Sequence, residues 1–173
     1  IEAGIKEIIF IISAKKQIIK KYFYNDNFFR KLIKKKRKDK RLKYEYSKIK
    51  KFKKVIKFVY QNTPRGTGDA VLKCRKLIKS KHFLMLLPDD LIMKNNCSRT
   101  MIKLHKRYKS SIIASKKVKS KDVSRWGIFK LKKFSKNNFL IKDVIEKPSI
   151  RSAPSNYAVI GRYILPINIF KTL

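Results

Sequence analysis

Acidic side chains are scarce in this sequence. Eleven Asp and Glu face 47 Lys and Arg, which leaves a formal charge of +36 on 173 residues. Such a field attracts polyanions, nucleoside triphosphates as well as nucleic acids. Arginine is scarce too: 10 Arg stand against 37 Lys, and 6 Ala against 24 Ile. Surfaces that read nucleic acid lean on the planar fork of Arg. The Lys and Ile excess extends into apolar, core-type positions, as base-composition drift would leave it. Drift is therefore preferred over selection for nucleic acid, and no nucleic-acid partner is expected.

Cysteine and histidine are nearly absent. Cys74 and Cys97 form no CxxC, and with two scattered His they make no zinc site and no disulfide framework. A reducing, cytoplasmic setting fits. No apolar run approaches the roughly 18 residues of a membrane helix, so no membrane partner is expected. The run at residues 8–12 is too short for a signal-peptide core and lacks its cleavage site. There is no Met at position 1, and the chain stops inside an apolar stretch at Leu173. It reads as an interior piece of a longer protein.

What is present is an alternation of buried-type strands and amphipathic helices. Glu7 to Ser13, Val55 to Tyr60 and Phe83 to Leu87 are short apolar runs of the kind buried on both faces of a sheet. Residues 1–5 read as a helix end with Gly4 as its C-cap. Ile18, Ile19, Tyr22 and Phe23 form a helical stripe. Two more follow in Asn25 to Lys54, where fifteen residues from Arg30 onward are basic and only Asp39 and Glu45 oppose them. That segment is either a polyanion-binding patch or a solvated face, and the second is the simpler reading. Ala70, Cys74, Leu77 and Ile78 mark a further helix, with Cys74 in the core. Met101, Leu104, His105 and Tyr108 mark another, with His105 a packed histidine. Ser111 to Ala114 opens a strand. Residues 127–131 and 139–145 form a hairpin turning at Asn137-Asn138. Tyr157 to Leu165 is a last strand, and Pro166 starts a helix.

Three constellations carry chemistry. Gln61 with Gly66-Thr67-Gly68 between a strand and a helix is a layout that brings backbone N–H groups to an anion or a base edge. A plain turn with Asp69 as helix cap is the rival. No Gly-Lys-Ser/Thr follows, so it is not a P-loop. Pro88-Asp89-Asp90 ends a strand, where ligands of open α/β sheets sit. One carboxylate there suffices for a cation carried by phosphates, and a simple acidic turn is the rival. Glu146-Lys147-Pro148 offers an acceptor for sugar hydroxyls and a cation for a phosphate, or else only a surface ion pair.

In this order the segments resemble the bacterial UTP–glucose-1-phosphate uridylyltransferase family. Ala3-Gly4-Ile5-Lys6-Glu7-Ile8 is similar to its AGI-x-EI segment, and Gln61 with Gly66-x-Gly68-x-Ala70-Val71 to its Q-x4-G-x-G-H-A-V segment. Leu87-Pro88-Asp89-Asp90, Trp126-Gly127, Val144-Ile145-Glu146-Lys147-Pro148 and Pro154-Ser155-Asn156-Tyr157-Ala158-Val159-Ile160-Gly161-Arg162-Tyr163 resemble L-P-D-D, Y-G, V-x-E-K-P and P-S-N-x-A-x-x-G-R-Y. The resemblance implies an α/β, Rossmann-like nucleotidyltransferase with a mixed, mainly parallel central sheet flanked by helices. It would be one partial domain over 1–173, with a nucleotide-binding half to about 110 and a sugar-phosphate half beyond. The implied reaction is UTP plus glucose 1-phosphate giving UDP-glucose and pyrophosphate.

The resemblance also implies roles. Gln61 and Gly66 would read the base, and Asp89 would hold Mg²⁺. Asp90 would stand by the ribose or the metal's water. Gly127 and Glu146 would bind glucose, and Lys147 its phosphate. A homo-oligomer is implied as well. Asp69 stands where the family has His and Thr67 where it has Leu, so a sister enzyme using dTTP or another sugar phosphate is the alternative within the class. A basic nucleic-acid-binding protein is the alternative outside it, and a decayed gene product a third possibility. The family's G-x-G-T-R loop would precede Ile1, and a further metal-proximal Asp would follow Leu173, so this chain alone is expected to be inactive.

Overall fold

The computed structural model of the chain describes residues 2–93, 95–136 and 138–173. It divides into two compact units, Ile1–Ser80 with Asn168–Leu173, and Lys81–Ile167.

The first unit is built on a two-stranded parallel sheet. β1 (Ile8–Ile12) pairs with β2 (Ile56–Tyr60) in register from Ile8 opposite Ile56 to Ile12 opposite Tyr60. Parallel neighbours need a long crossover. Here it is helical: α1 (Gln17–Tyr24), α2 (Asp26–Lys35) and α3 (Lys40–Lys53). The helix boundaries follow from capping. Asn25 accepts from Asn27 N at 3.2 Å, and Asp39 from Leu42 N at 2.8 Å. Part of the aromatic set faces inward: Phe10 lies against Phe23 at 5.5 Å and stacks on Phe58 at 5.6 Å, while Tyr22 and Phe28 stay exposed. The lysines line the outer faces. α4 (Thr67–Leu72) follows β2 and buries Val71. Cys74 lies just beyond α4, buried as expected, and burial pushes its thiol pKa up.

The second unit holds β3 (His82–Leu86), α5 (Cys97–Tyr108), β4 (Ile112–Lys117), β5 (Gly127–Lys133), β6 (Phe139–Glu146) and β7 (Tyr157–Pro166). β7 is the spine. Tyr163 and Ile164 pair with both β3 and β4, so those strands lie on opposite edges of it. Ala158 pairs with Lys116 of β4 and Ile128 of β5, so β5 shares the edge of β3. Along that edge β7 passes from one partner to the other between Ala158 and Arg162. β5 also carries β6 as a hairpin. Val123, Ile128 and Ala158 make the core, with Val118, Trp126 and Ala153 packed on it.

The mixed α/β class stands. Parallel pairing is nevertheless confined to β1–β2 among the described residues, because the hairpin and the long β7 make every other pairing antiparallel. β1 and β3 are mostly half-buried rather than buried on both faces. Glu2 and Ala3 form a turn, Gly4 takes φ +86°, and Ile1 lies outside the described residues. Of the hairpin turn, Asn138 is described and accepts at its carbonyl from Phe134 N and Ser135 N; Asn137 is not. Pro166 ends β7, and a 3-10 helix over Ile167–Lys171 follows instead of an α-helix starting there.

Candidate active site

In the first unit, Gln61 extends the parallel pair, its N–H donating to Ile12 O at 3.0 Å. Its side-chain amide donates to Asp69 Oδ2 at 2.7 Å and to Gly66 O at 3.2 Å. The carbonyl end of Gln61 is therefore the acceptor on offer to a base edge. Gly66 sits at φ +93°, ψ 177°, a region essentially reserved for glycine, and the first turn of α4 starts directly after it. Asp69 lies in that turn and is paired with Lys73 at 3.7 Å. It orients Gln61 rather than capping the helix, which gives a local reason for Asp where the resembled family has His.

In the second unit, the chain leaving β3 is held by β7. Leu87 N donates to Gly161 O at 2.8 Å. Asp90 Oδ2 accepts from Gly161 N at 2.6 Å. The Arg162 guanidinium donates to Leu87 O at 2.7 Å, to Gly161 O at 2.8 Å and to Asp90 O. These bonds occupy the stretch of β7 between its β5 and β3 partners. They fix the Pro88-Asp89 turn, with Asp89 exposed and Asp90 half-buried. A Cβ on Gly161 would stand 2.4 Å from Leu87 Cβ and 2.8 Å from Asp90 Oδ2. Only glycine lets the turn approach this closely.

Gly127 pairs with Glu146 across the β5–β6 hairpin, and a Cβ on Gly127 would meet Glu146 Oε2 at 2.9 Å. Lys147 is tied by its N–H to Trp126 O at 3.0 Å and takes φ +46°, a left-handed conformation unusual for Lys. Buried Pro148 follows. Tyr163 follows Arg162 on β7 and pairs with Met85 of β3. Its hydroxyl pKa is raised, first by burial, then by the charges of Asp90 and Glu146. Asp90, Glu146, Gly127 and Lys147 all belong to the second unit, while Gln61 and Gly66 belong to the first unit.

Among the described residues no cluster of three His, Cys, Asp or Glu could cage a metal. A lone exposed carboxylate such as Asp89 does fit a hard cation that is held mainly by phosphates and water.

The family model for nucleotidyl transferases matches residues 1–173. The chain belongs to the nucleotidyl transferase family. It is 30% identical to a UTP–glucose-1-phosphate uridylyltransferase of Pseudomonas aeruginosa, over all of this chain and 62% of that protein. Among solved structures it resembles a UTP-bound UGPase from Acinetobacter baumannii, with TM-score 0.88 and 30% identity over 99% of this chain and 62% of the other. A UDP-glucose pyrophosphorylase complexed with UDP-glucose matches with TM-score 0.80 and 30% identity, over 98% and 62%. The chain spans about three-fifths of the length of these relatives. The family resemblance carried by the six motifs is borne out.

Gly161, Arg162 and Tyr163 were given no role from the sequence, although they end its most specific motif. Their adjacency there was the signal. In the same motif Ser155 Oγ donates to Phe129 O at 2.6 Å and accepts from Tyr157 N at 3.1 Å, tying the turn before β7 to β5.

Proposed function

We propose that this chain is the substrate-contacting part of a UTP–glucose-1-phosphate uridylyltransferase. The observation that supports it most directly is the acidic turn held on β7 by Gly161 and Arg162, with Gly127 paired to Glu146 on the hairpin that β7 also joins. Residues up to about 110 contact the nucleotide and those beyond contact the sugar phosphate. Gln61 and Gly66 read the uracil through an acceptor and a close backbone approach. Asp89 is the protein's ligand for Mg²⁺, which neutralises the nucleotide phosphates when bound. Asp90, fixed by Gly161 and Arg162, sets the direction of the turn and lies by the ribose. Gly127 leaves room for a sugar beside Glu146, whose carboxylate accepts from glucose hydroxyls. Lys147 neutralises the phosphate of glucose 1-phosphate.

The phosphate oxygen of that sugar then attacks the α-phosphorus in line, and pyrophosphate leaves with the bonding electrons. The protein contributes positioning and charge neutralisation. The enzyme is cytoplasmic and assembles with copies of itself, and the 173-residue chain is inactive by itself.

The test is pyrophosphate release from UTP and glucose 1-phosphate by the protein in its natural full length. Metal-dependent turnover that exceeds turnover with dTTP, and that falls at least about a hundredfold on Asp89→Ala, is expected. Unchanged turnover in that variant sinks the reading. Faster turnover with dTTP reassigns the base.

A further inference from the structure

The side-chain amide of Gln61 has two hydrogens, and both are spent. One goes to Asp69 Oδ2 at 2.7 Å and the other to Gly66 O at 3.2 Å. These partners force the placement of nitrogen and oxygen. A carboxylate and a backbone carbonyl only accept, so turning the amide over would set its oxygen against two acceptors. Asp69 is itself held: its Oδ1 pairs with Lys73 at 3.7 Å, and its side chain is 20% exposed. The bond to Asp69 is the shorter of the two and is charge-assisted, so Asp69 rather than Gly66 sets the amide.

The result is an acceptor of fixed direction, Gln61 Oε1. Beside it, a Cβ on Gly66 would meet nothing within 4 Å, so the approach is open. Bases differ in what they offer such an acceptor. The imide of uracil or thymine carries an N3–H between two carbonyls. The N3 of cytosine is itself an acceptor, and against Oε1 it would set lone pair to lone pair. Cytosine can satisfy Oε1 only through its exocyclic amine, in a different placement of the ring.

We infer that Asp69 is a positioning residue for base selection: by holding the Gln61 amide it makes the site prefer a base with a ring N3–H, uracil or thymine, over cytosine. The inference rests on the proposed nucleotidyl transfer from UTP. It adds that the selection depends on a residue that does not itself touch the base.

The experiment is calorimetric titration of the protein in its natural full length with UTP and with CTP, Mg²⁺ present, in wild type, Asp69→Ala and Asp69→Asn. Alanine removes the acceptor at a helical position that suits it, and circular dichroism checks that each variant folds. Asparagine keeps an acceptor oxygen at the same place. Wild type should bind UTP more tightly than CTP. In Asp69→Ala that ratio should fall about tenfold or more, because the freed amide can turn an N–H toward N3 of cytosine. In Asp69→Asn it should stay within about threefold of wild type. A merely structural role for Asp69 would weaken both nucleotides alike and leave the ratio where it was. An unchanged ratio in Asp69→Ala therefore overturns the inference and leaves the proposed function standing. So does an equal fall in Asp69→Asn, since the carboxylate would then act through its charge and not through Gln61. Equal binding of UTP and CTP by wild type overturns both the inference and the assignment of uracil to Gln61. Independently of the variants, the side-chain amide protons of Gln61 in wild type should exchange with solvent more slowly than those of an exposed glutamine, and exchange at the exposed rate also overturns the inference.

Discussion

Replacing Gly161 with Ala tests the link between β7 and the acidic turn. The added Cβ would stand 2.4 Å from Leu87 Cβ, 2.6 Å from Leu87 Cγ and 2.8 Å from Asp90 Oδ2. Ordinary contact begins near 3.4 Å. A Cβ is anchored to the backbone, so relief requires the chain itself to move by about 1 Å, more than a rotamer change can supply. Such a shift breaks the Leu87 N to Gly161 O bond and the Gly161 N to Asp90 bond. Overpacking costs about 1–3 kcal/mol. Loss of a hydrogen bond to a carboxylate adds about 1.5–3 kcal/mol, partly recovered if water reaches Asp90. A total of about 2–5 kcal/mol corresponds to a fall in Tm of roughly 4–20 °C for a chain of this size. The substitution also displaces Asp89 without touching it, so metal-dependent UTP affinity should fall in protein that remains folded at low temperature. Calorimetry and UTP titration together give the answer. A variant with wild-type Tm and wild-type UTP affinity would show that the close approach at Gly161 does not hold the turn.

Other glycines and strained positions separate steric from conformational effects. Gly66→Ala meets nothing within 4 Å, so its cost is the φ +93° backbone alone, about 1–3 kcal/mol in chemical denaturation; a neutral substitution would refute that conformation. Lys147→Gly relieves a left-handed residue and should leave stability unchanged or about 1 kcal/mol higher. In the full-length enzyme it should raise KM for glucose 1-phosphate or lower kcat at least about tenfold, and unchanged kinetics would remove Lys147 from the site. His82 has its pKa held below the ordinary histidine value, first by burial and then by His105, whose ring is 4.3 Å away, and by Lys81. A lowered folded-state pKa means stability present above the ordinary value and lost as pH falls below it. NMR titration should place the His82 midpoint below that of a free histidine and move it upward in His105→Ala. A midpoint at or above the free value would contradict the close approach of the two tilted rings.

Much of the local structure was legible because it depends on nearby residues. The i, i+4 stripes of Ile18, Ile19, Tyr22 and Phe23 and of Leu42, Tyr46 and Ile49 became α1 and α3; α3 buries Tyr46 and Ile49, while Ile18 and Tyr22 of α1 stay exposed. Asp39 caps α3 as a short polar side chain before an amphipathic run does. The β5–β6 hairpin follows from its alternation and turn residues. Burial was less legible: the apolar runs of β1 and β3 read as doubly covered strands, yet β3 has only β7 as a neighbour among the described pairings. Run length reports hydrophobicity, not what covers it.

The sequence by itself determined the α/β class, the family, and which segments carry carboxylates, glycines and lysines. It did so through spacing, which is a property of neighbours in the chain. The tertiary structure decided what those residues touch. Asp90 is tied to Gly161 across 71 positions of sequence, and Gln61 gives its amide to Asp69 rather than leaving it free. Arg162, unremarkable as one basic residue among 47, anchors the acidic turn through three backbone carbonyls. Such roles depend on strand register, and register is set by tertiary packing, where a strand buries a face.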